Sequence, residues 1–308
     1  MFPSVFIIIL NYRMCDQVRD CLLSLRALRY PNHRLVVVDN DSRDGLDRVI
    51  ESEFPEVIFI QTGANLGYTG GNNRGLEYAE AEGADYALIL NPDTIVIDPD
   101  FVSRMVEHLE EQPQVGIAGP RVYLRERGLL QNTVLYAPGL WRNLRHWFIY
   151  RLRPHRLIHS GDAVVEAEVL NGVCLLLRLS CLRQIGLFDE YYFMYIEDAD
   201  MDHRARQAGW RIHYLPVESI LHCQKQEGYQ PNGPVDFLLK RNSFYYLVKH
   251  ERRREAIGFA ILALVVIWLR GLLSLKRQGL QEALDFGHRL VGAWRAILRT
   301  SNQSGRHQ

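Results

Sequence analysis

The sequence predicts an α/β fold, a doubly wound, mostly parallel sheet with a helical C-terminal extension. Three observations carry that expectation. Strand-like and helix-like stretches alternate over roughly the first 110 residues, the pattern of strand–crossover–strand units that build a parallel sheet. The strand-like stretches are continuous apolar runs rich in Val and Ile, as strands covered on both faces require. One of them, Tyr86–Leu90, runs into Asn91-Pro92-Asp93, which sets a carboxylate at a strand's carboxyl end, where open α/β sheets bind ligands.

Val5–Leu10 is the first strand, and Gln17–Leu28 follows with helical spacing through Val18, Leu22 and Leu25. Leu35–Val38 is the second strand, closed by Asp39-Asn40-Asp41-Ser42. Leu46–Ser52 reads as a helix, Val57–Ile60 as the third strand and Asn73–Ala81 as a helix. Tyr86–Leu90 is the fourth strand, and Phe101–Glu110 is a helix entered through Asp98-Pro99. Further strands are expected at Val115–Ala118 and Val169–Leu177, separated by the basic, aromatic stretch Leu140–His159. Asp198–Ala208 is helical and Trp210–Tyr214 a short strand.

The chain has 308 residues, 47% of them hydrophobic, and a net charge of zero. The charge is unevenly spread. Positions 251–308 hold ten Lys and Arg against four Asp and Glu. Positions 127–161 contain no acid but include Arg127, Arg142, Arg145, Arg151, Arg153 and Arg156, a basic surface suited to an anionic partner. The five cysteines form no Cys-x-x-Cys pair, which fits a reduced, cytoplasmic setting. Val5–Leu10 is too short for the apolar region of a signal peptide and lacks a basic lead-in.

Four constellations carry chemistry beside Asp93, whose carboxylate suits a hard divalent cation. Asp39 at the end of the second strand can accept hydrogen bonds from a nucleobase or ribose, or equally cap the next helix. Asn65–Gly75, with four glycines and three asparagines, lets backbone approach a ligand, or forms an ordinary turn. It contains neither a phosphate-binding P-loop nor a dinucleotide fingerprint. Asp189, Glu190, Glu197, Asp198 and Asp200 lie among Tyr191, Tyr192, Phe193 and Tyr195, whose rings exclude water and raise carboxylate basicity. His222 follows the apolar Ser219-Ile220-Leu221 and is a structural histidine or, paired with a strand-end Asp, a metal ligand.

In order, these motifs resemble glycosyltransferase family 2, with its GT-A nucleotide-sugar fold. They are Ile-Ile-Leu-Asn-Tyr (8–12), Val-Asp-Asn-x-Ser (38–42), Asn-x-Gly-Tyr-x-Gly-Gly-Asn-Asn-x-Gly (65–75) and Asn-Pro-Asp (91–93). Gly-Leu-Phe-Asp-Glu (186–190), Glu-Asp-x-Asp (197–200) and His222 complete the set. The narrower likeness is to bacterial rhamnosyltransferase-type enzymes of surface polysaccharide synthesis.

The resemblance implies a domain over residues 1–250, with a nucleotide-sugar half to about 120 and an acceptor half to 250. It implies that Tyr12 and Asp39 hold the base, while Asn65, Asn72 and the Gly70-Gly71 backbone border ribose and diphosphate. Asp93 and His222 would take Mg²⁺ or Mn²⁺, and Asp198 would be the base of an inverting transfer. Glu197, Gly172 and Arg241 would lie on the acceptor side, Arg241 at a helix start. The donor is then a nucleotide diphosphate sugar such as dTDP-rhamnose and the acceptor a glycan or lipid-linked saccharide. The missing Gln-x-x-Arg-Trp motif sets the chain apart from processive, chain-synthesising members.

Two other readings compete. A nucleotidyltransferase would want a basic, glycine-rich loop near the N-terminus, yet Val5–Gln17 has no glycine and only Arg13. A non-catalytic nucleotide-sugar-binding protein would have no need of Asp198 beside an intact Asp93. The C-terminal region is expected to rest on a membrane without crossing it. Ala256–Leu269 is an uncharged run of fourteen, short of the roughly 18–20 residues a span needs. Arg252-Arg253-Arg254 and Lys276-Arg277 flank it on both sides, so no positive-inside asymmetry orients a crossing. Leu280–Leu298 then sets Leu280, Leu284, Gly287, Val291, Trp294 and Leu298 on one stripe, as in an interfacial helix.

Overall fold

The computed structural model describes residues 2–124, 129–140, 162–223, 233–273 and 277–304. Most of the acid-free basic stretch lies outside them. The chain divides into two compact units, Met1–Tyr136 with Leu157–Lys225, and Ala137–Arg156 with Gln226–Gln308. Pro234–Lys249, which the sequence reading kept with residues 1–250, therefore groups with the C-terminal helices.

In the first unit, β1 (Val5–Asn11), β2 (His33–Asp39), β3 (Ile58–Gln61) and β4 (Tyr86–Leu90) pair in parallel in the order β3-β2-β1-β4. Between them run α1 (Cys15–Leu25), α2 (Leu46–Glu53) and α3 (Gly67–Ala81). Alternate residues of β1 feed the two faces. Val5, Ile7 and Ile9 join the core lined by α1 and by α4 (Phe101–Glu111), whereas Phe6 and Ile8 join the core under α3. That two-sided burial is why the strand reads as an unbroken apolar run. The register pairs Asn11 with Asp39 and Ile9 with Leu90, which brings the carboxyl ends of β1, β2 and β4 to one edge.

The sheet continues beyond β4 through β11 (Cys174–Arg178), β6 (Val115–Leu124), β12 (Arg211–His222) and β5 (Thr94–Val96). β11 is antiparallel to both its neighbours, and β5 is antiparallel to β12. Short strands β7 (Leu129–Leu130) and β9 (Val165–Glu166) pair with β6 and β12, and β8 (Val134–Leu135) with β10 (Val169–Leu170). The expected strand 169–177 is thus broken by a turn at Asn171-Gly172-Val173. The expected strand 210–214 runs on to His222, because Pro216 falls within a register shift where no ladder donor is needed. Two helices follow β11, α5 (Leu179–Ile185) and α6 (Glu197–Gln207), with a 3₁₀ turn at Glu190–Tyr192 between them.

The second unit holds α7 (Pro234–Lys249), α8 (Arg253–Leu273) and α9 (Arg277–Ser304). α7 begins with Pro234 at its first position, where the missing N–H costs nothing. Arg241 therefore lies mid-helix rather than at a helix start. Phe244 stacks on Trp294 at 5.2 Å, and a Cβ on Gly271 would lie 2.8 Å from that of Ala283, so α8 and α9 approach closely there.

Candidate active site

The carboxyl edge of the sheet carries the first cluster. Asn11, fully buried, donates from Nδ2 to Asp39 Oδ1 at 2.7 Å and to Ser42 Oγ at 3.0 Å. Asp39 Oδ2 accepts from the Ser42 N–H at 3.1 Å and from Gln61 Nε2 at 2.9 Å. Three of the roughly four acceptor positions of this carboxylate are filled, which leaves one on Oδ1. Asp39 closes a turn to Ser42 and does not cap α2, whose N-cap is Gly45. Tyr12, 40% exposed beside it, has the Arg13 guanidinium 5.2 Å from its ring centre.

The Asn/Gly segment is not the loop its composition suggests. From Gly67 onward it is α3, and Gly70, Gly71 and Asn72 are buried inside that helix. A Cβ on Gly71 would meet Leu10 Cδ1 at 2.3 Å and Asn40 Nδ2 at 2.9 Å. Gly71, and Gly75 where a Cβ would meet Ile8 Cγ2 at 2.5 Å, let α3 lie directly on the sheet, a close approach that offsets their low helix propensity. Asn65 Oδ1 accepts from the Gly67 N–H, and Asn72 Nδ2 donates to the Tyr68 carbonyl. The N–H groups of Tyr68 and Thr69, free at a helix start, are taken by the Phe193 carbonyl at 2.7 and 3.2 Å. Asn40 Oδ1 and Asn72 Oδ1 are buried and lack hydrogen-bond partners among the described residues.

Phe193 belongs to the turn that leads into α6. Phe193, Tyr195 and Ile196 all have positive φ, of 64°, 72° and 73°. For a β-branched residue such as Ile196 this is a strained backbone, held by its surroundings. The strain sits immediately before Glu197-Asp198. Asp198 is half-buried, and its Oδ1 accepts from the Ala199 N–H at 2.8 Å. Burial pushes Asp198 up to about 6, against the hydrogen bond from the Ala199 N–H that pulls it down.

Its neighbours differ in kind. Glu197 is 6% exposed, has Oε2 unpartnered among the described residues, and is raised well above the ordinary range by burial and then by Asp198. Asp200 is fully buried and ion-paired with Arg204 at 2.9 Å, so its work is structural. Asp202 accepts from the Leu170 N–H and is also raised well above its ordinary range, chiefly by burial.

Asp93 and His222 meet because β5 and β12 pair, Thr94 opposite His222. His222 Nε2 lies 3.2 Å from Asp93 Oδ1, and His222 Nδ1 lies 2.7 Å from Gln131 Oε1. An amide oxygen only accepts, so Nδ1 carries the hydrogen and Nε2 faces the carboxylate. Sequence reasoning missed Gln131, which no motif marks. The 3.2 Å separation is close to the about 3 Å between adjacent ligands of an octahedral ion with bonds of about 2.1 Å. The pair fits a divalent cation. No group of three or more His, Cys, Asp or Glu side chains gathers as a metal cage among the described residues, so this pair would be only part of an ion's shell.

The Val173 carbonyl, in the turn between β10 and β11, accepts from the Asn91 N–H at 2.9 Å, two residues before Asp93. Arg241 belongs to the second unit, where its Nε donates to Asn242 Oδ1 at 2.8 Å.

The model of glycosyl transferase family 2 matches residues 4–160, and that of glycosyl transferase family group 2 matches residues 86–295. The chain belongs to glycosyltransferase family 2. Among its relatives in the family is the N-acetylglucosaminyl-diphospho-decaprenol L-rhamnosyltransferase of Mycobacterium tuberculosis, 30% identical over 203 residues. That match covers 61% of this chain and 66% of the mycobacterial one, just under two thirds of its length. The low-salt glycan biosynthesis hexosyltransferase of Haloferax volcanii is 27% identical over 73% of this chain and 68% of its own. The solved mannosyltransferase of Pyrobaculum calidifontis, in complex with GDP-Man and Mn²⁺, superposes with a TM-score of 0.57 at 16% identity. It covers 98% of this chain and 80% of its own, and shows that the family 2 chain has the GT-A fold.

Proposed function

We propose that the chain transfers a sugar, with inversion, from a nucleotide diphosphate sugar to a glycan or lipid-linked saccharide in cell-surface polysaccharide synthesis. dTDP-rhamnose is the donor favoured by the likeness to the mycobacterial enzyme named a rhamnosyltransferase. Asp198 carries the reading. It is a half-buried carboxylate raised to about 6 and fixed by the Ala199 N–H at the start of α6, directly after the strained turn Phe193–Ile196. Such a group is mostly ionised at neutral pH yet more basic than an ordinary aspartate, which suits a general base.

The acceptor hydroxyl gives its proton to Asp198 as its oxygen bonds to the anomeric carbon, and the bond from that carbon to the diphosphate oxygen breaks. One base suffices, because no covalent sugar–enzyme intermediate forms. The free acceptor position on Asp39 Oδ1 takes an N–H of the base, and Tyr12 lies along the nucleoside. Asn65, exposed ahead of α3, borders the ribose. Glu197 and Gly172 serve the acceptor side. A Mg²⁺ or Mn²⁺ ion held by Asp93 and His222 would offset the charge that builds on the departing diphosphate.

The enzyme works at the cytoplasmic face of the membrane as a peripheral protein. Support comes from α8, whose outward stripe of Ile257, Ile261, Val265, Trp268 and Leu272 is exposed beside Arg253 and Arg254. The test of the activity is release of dTDP from dTDP-rhamnose with Mn²⁺, with and without an N-acetylglucosaminyl-diphospho-lipid, and the anomeric configuration of the product by proton NMR. Retained configuration overturns the inverting mechanism. Failure to turn over or be stabilised by any member of a sugar-nucleotide panel overturns the transferase reading.

A further inference from the structure

The corner after β1, where Tyr12 leaves the sheet, is built by side chains from another loop. Arg13 has a φ of 58°, a left-handed backbone that a non-glycine residue keeps only when its surroundings hold it. Three successive N–H groups there are each taken by a side chain. The Arg13 N–H donates to Ser42 Oγ at 3.0 Å, the Met14 N–H to Asn11 Oδ1 at 3.0 Å, and the Cys15 N–H to Asp44 Oδ2 at 3.1 Å. Asn11 Nδ2, which holds Asp39 Oδ1, also donates to Asp44 Oδ2 at 3.1 Å. We propose that Asp44, together with Ser42, is a positioning residue for Tyr12, fixing this corner so that the Tyr12 ring meets the nucleoside beside Asp39.

Helix α1 cannot supply the hold itself. Met14 stands at its N-cap and gives no side-chain cap, so the first N–H of the helix depends on a carboxylate 29 residues away. Asp44 Oδ1 takes the Leu46 N–H at 3.3 Å, so one carboxylate lies at the starts of both α1 and α2, where negative charge is favoured. Capping accounts for those two contacts. It does not account for Ser42 Oγ, which holds Arg13 ahead of the helix. The loop backbone follows the same plan. Asp41, Arg43 and Gly45 have positive φ of 56°, 53° and 86°, and the two residues between them, Ser42 and Asp44, are the ones that reach the corner.

Tyr12 is 40% exposed, with the Arg13 guanidinium 5.2 Å from its ring centre, so the direction of its ring depends on the backbone on either side. On one side the pairing of Asn11 with Asp39 fixes that backbone. On the other side Ser42 and Asp44 fix it. A flat ring stacks on a base only in a narrow range of orientations. Loosening the second side therefore weakens the grip on the base and leaves the grip on the diphosphate alone.

The inference rests on Tyr12 lying along the nucleoside, and the test separates the two. Binding of dTDP, UDP and GDP with Mn²⁺ is measured by calorimetry, and the tightest of them is compared with inorganic diphosphate, which has no base. Tyr12→Ala should weaken the nucleotide about tenfold, the effect of one base–aromatic stack. Asp44→Ala should weaken it about fivefold, part of that stack, with inorganic diphosphate unchanged and the loss carried by KM for the donor rather than kcat. Asp44→Asn, whose amide oxygen can still accept the Cys15 N–H, should stay within about twofold of the native chain. In the Tyr12→Ala background, Asp44→Ala should cost no further affinity. Ser42→Ala carries the same expectations and takes the place of Asp44→Ala should that variant not fold. Unchanged nucleotide affinity in Asp44→Ala, losses that add in full with Tyr12→Ala, or weakened inorganic diphosphate binding in the folded variant each overturn the positioning and leave Tyr12 as a contact. A Tyr12→Ala chain that binds the nucleotide like the native one, or a native chain that binds none of the three, overturns the nucleoside reading and the inference with it.

Discussion

Asp198, Glu197 and Asp202 share one helix, yet their surroundings give each a different use. Only Asp198 is both reachable and held by a backbone donor, so only it can collect a proton and release it again. Asp198→Asn keeps the shape and removes the basicity, and transfer should fall by about 10²–10⁴-fold while donor binding is nearly kept. Near-normal turnover would move the role to Glu197. Because burial raises Asp198 to about 6 and the base must be ionised, kcat should climb as pH rises through about 6 and level off above it. A rate independent of pH from 5 to 8 would contradict this. Asp93 and His222 make a second test, since Asp93→Ala should abolish Mn²⁺-dependent stabilisation by nucleotide diphosphates and His222→Ala weaken it. Gln131→Ala, which frees the His222 ring, should cost about 10–100-fold in Mn²⁺ affinity, as loss of a ligand's hydrogen-bond partner commonly does. Insensitivity of all three variants and of the native enzyme to EDTA would remove the metal from the account.

At the scale of elements, the parallel half of the sheet was legible because two-sided burial forces unbroken runs such as Val5–Leu10 and Tyr86–Leu90. The start of α3 was not. Glycine and asparagine score as loop formers, whereas here Gly71 and Gly75 are required by contact with Leu10 and Ile8. β12 runs past the expected 210–214 through Pro216, and only the neighbouring β6 shows that a register shift absorbs the proline. The antiparallel direction of β11 leaves no mark on composition at all. The candidate carboxylates and His222 were visible as residues at strand ends and helix starts. Gln131 was not, because it works through His222, 91 residues away. The helical reading of α3 can be tested with Gly71→Ala. In an open loop or an uncrowded helix this change is neutral or stabilising. With Leu10 Cδ1 only 2.3 Å from the new Cβ, it should instead destabilise by about 1–3 kcal/mol in urea unfolding. A stabilised variant would mean the helix does not lie against β1.

For the whole molecule the proposed membrane contact turns on α8. α8 is a continuous helix of 21 residues, about 31 Å long, and the one helix among the described residues long and apolar enough to cross a membrane. The uncharged run of fourteen counted in the sequence understates that reach. What argues against a crossing is the company α8 keeps. Its buried stripe of Ala256, Phe259, Ala263, Ile267 and Gly271 faces helices of its own unit, and α9, which packs along it, carries Glu282, Asp285, Arg289, Arg295 and Arg299. Those charges would enter hydrocarbon with α8, at a cost of about 2.5–3.5 kcal/mol for each one at mid-depth. Lying in the plane avoids that cost, with the opposite stripe in the acyl boundary and Arg253 and Arg254 among anionic headgroups. The full chain should therefore sediment with vesicles containing phosphatidylglycerol, bind neutral vesicles poorly, and be stripped by alkali. Replacing Ile257, Ile261 and Val265 together by Ser should release it without changing turnover of a water-soluble acceptor, because the packed stripe is untouched. Resistance to alkali would establish a crossing. A triple variant that still sediments, or a wild-type chain that ignores both kinds of vesicle and instead loses self-association on substitution, would assign the stripe to a second copy of the chain.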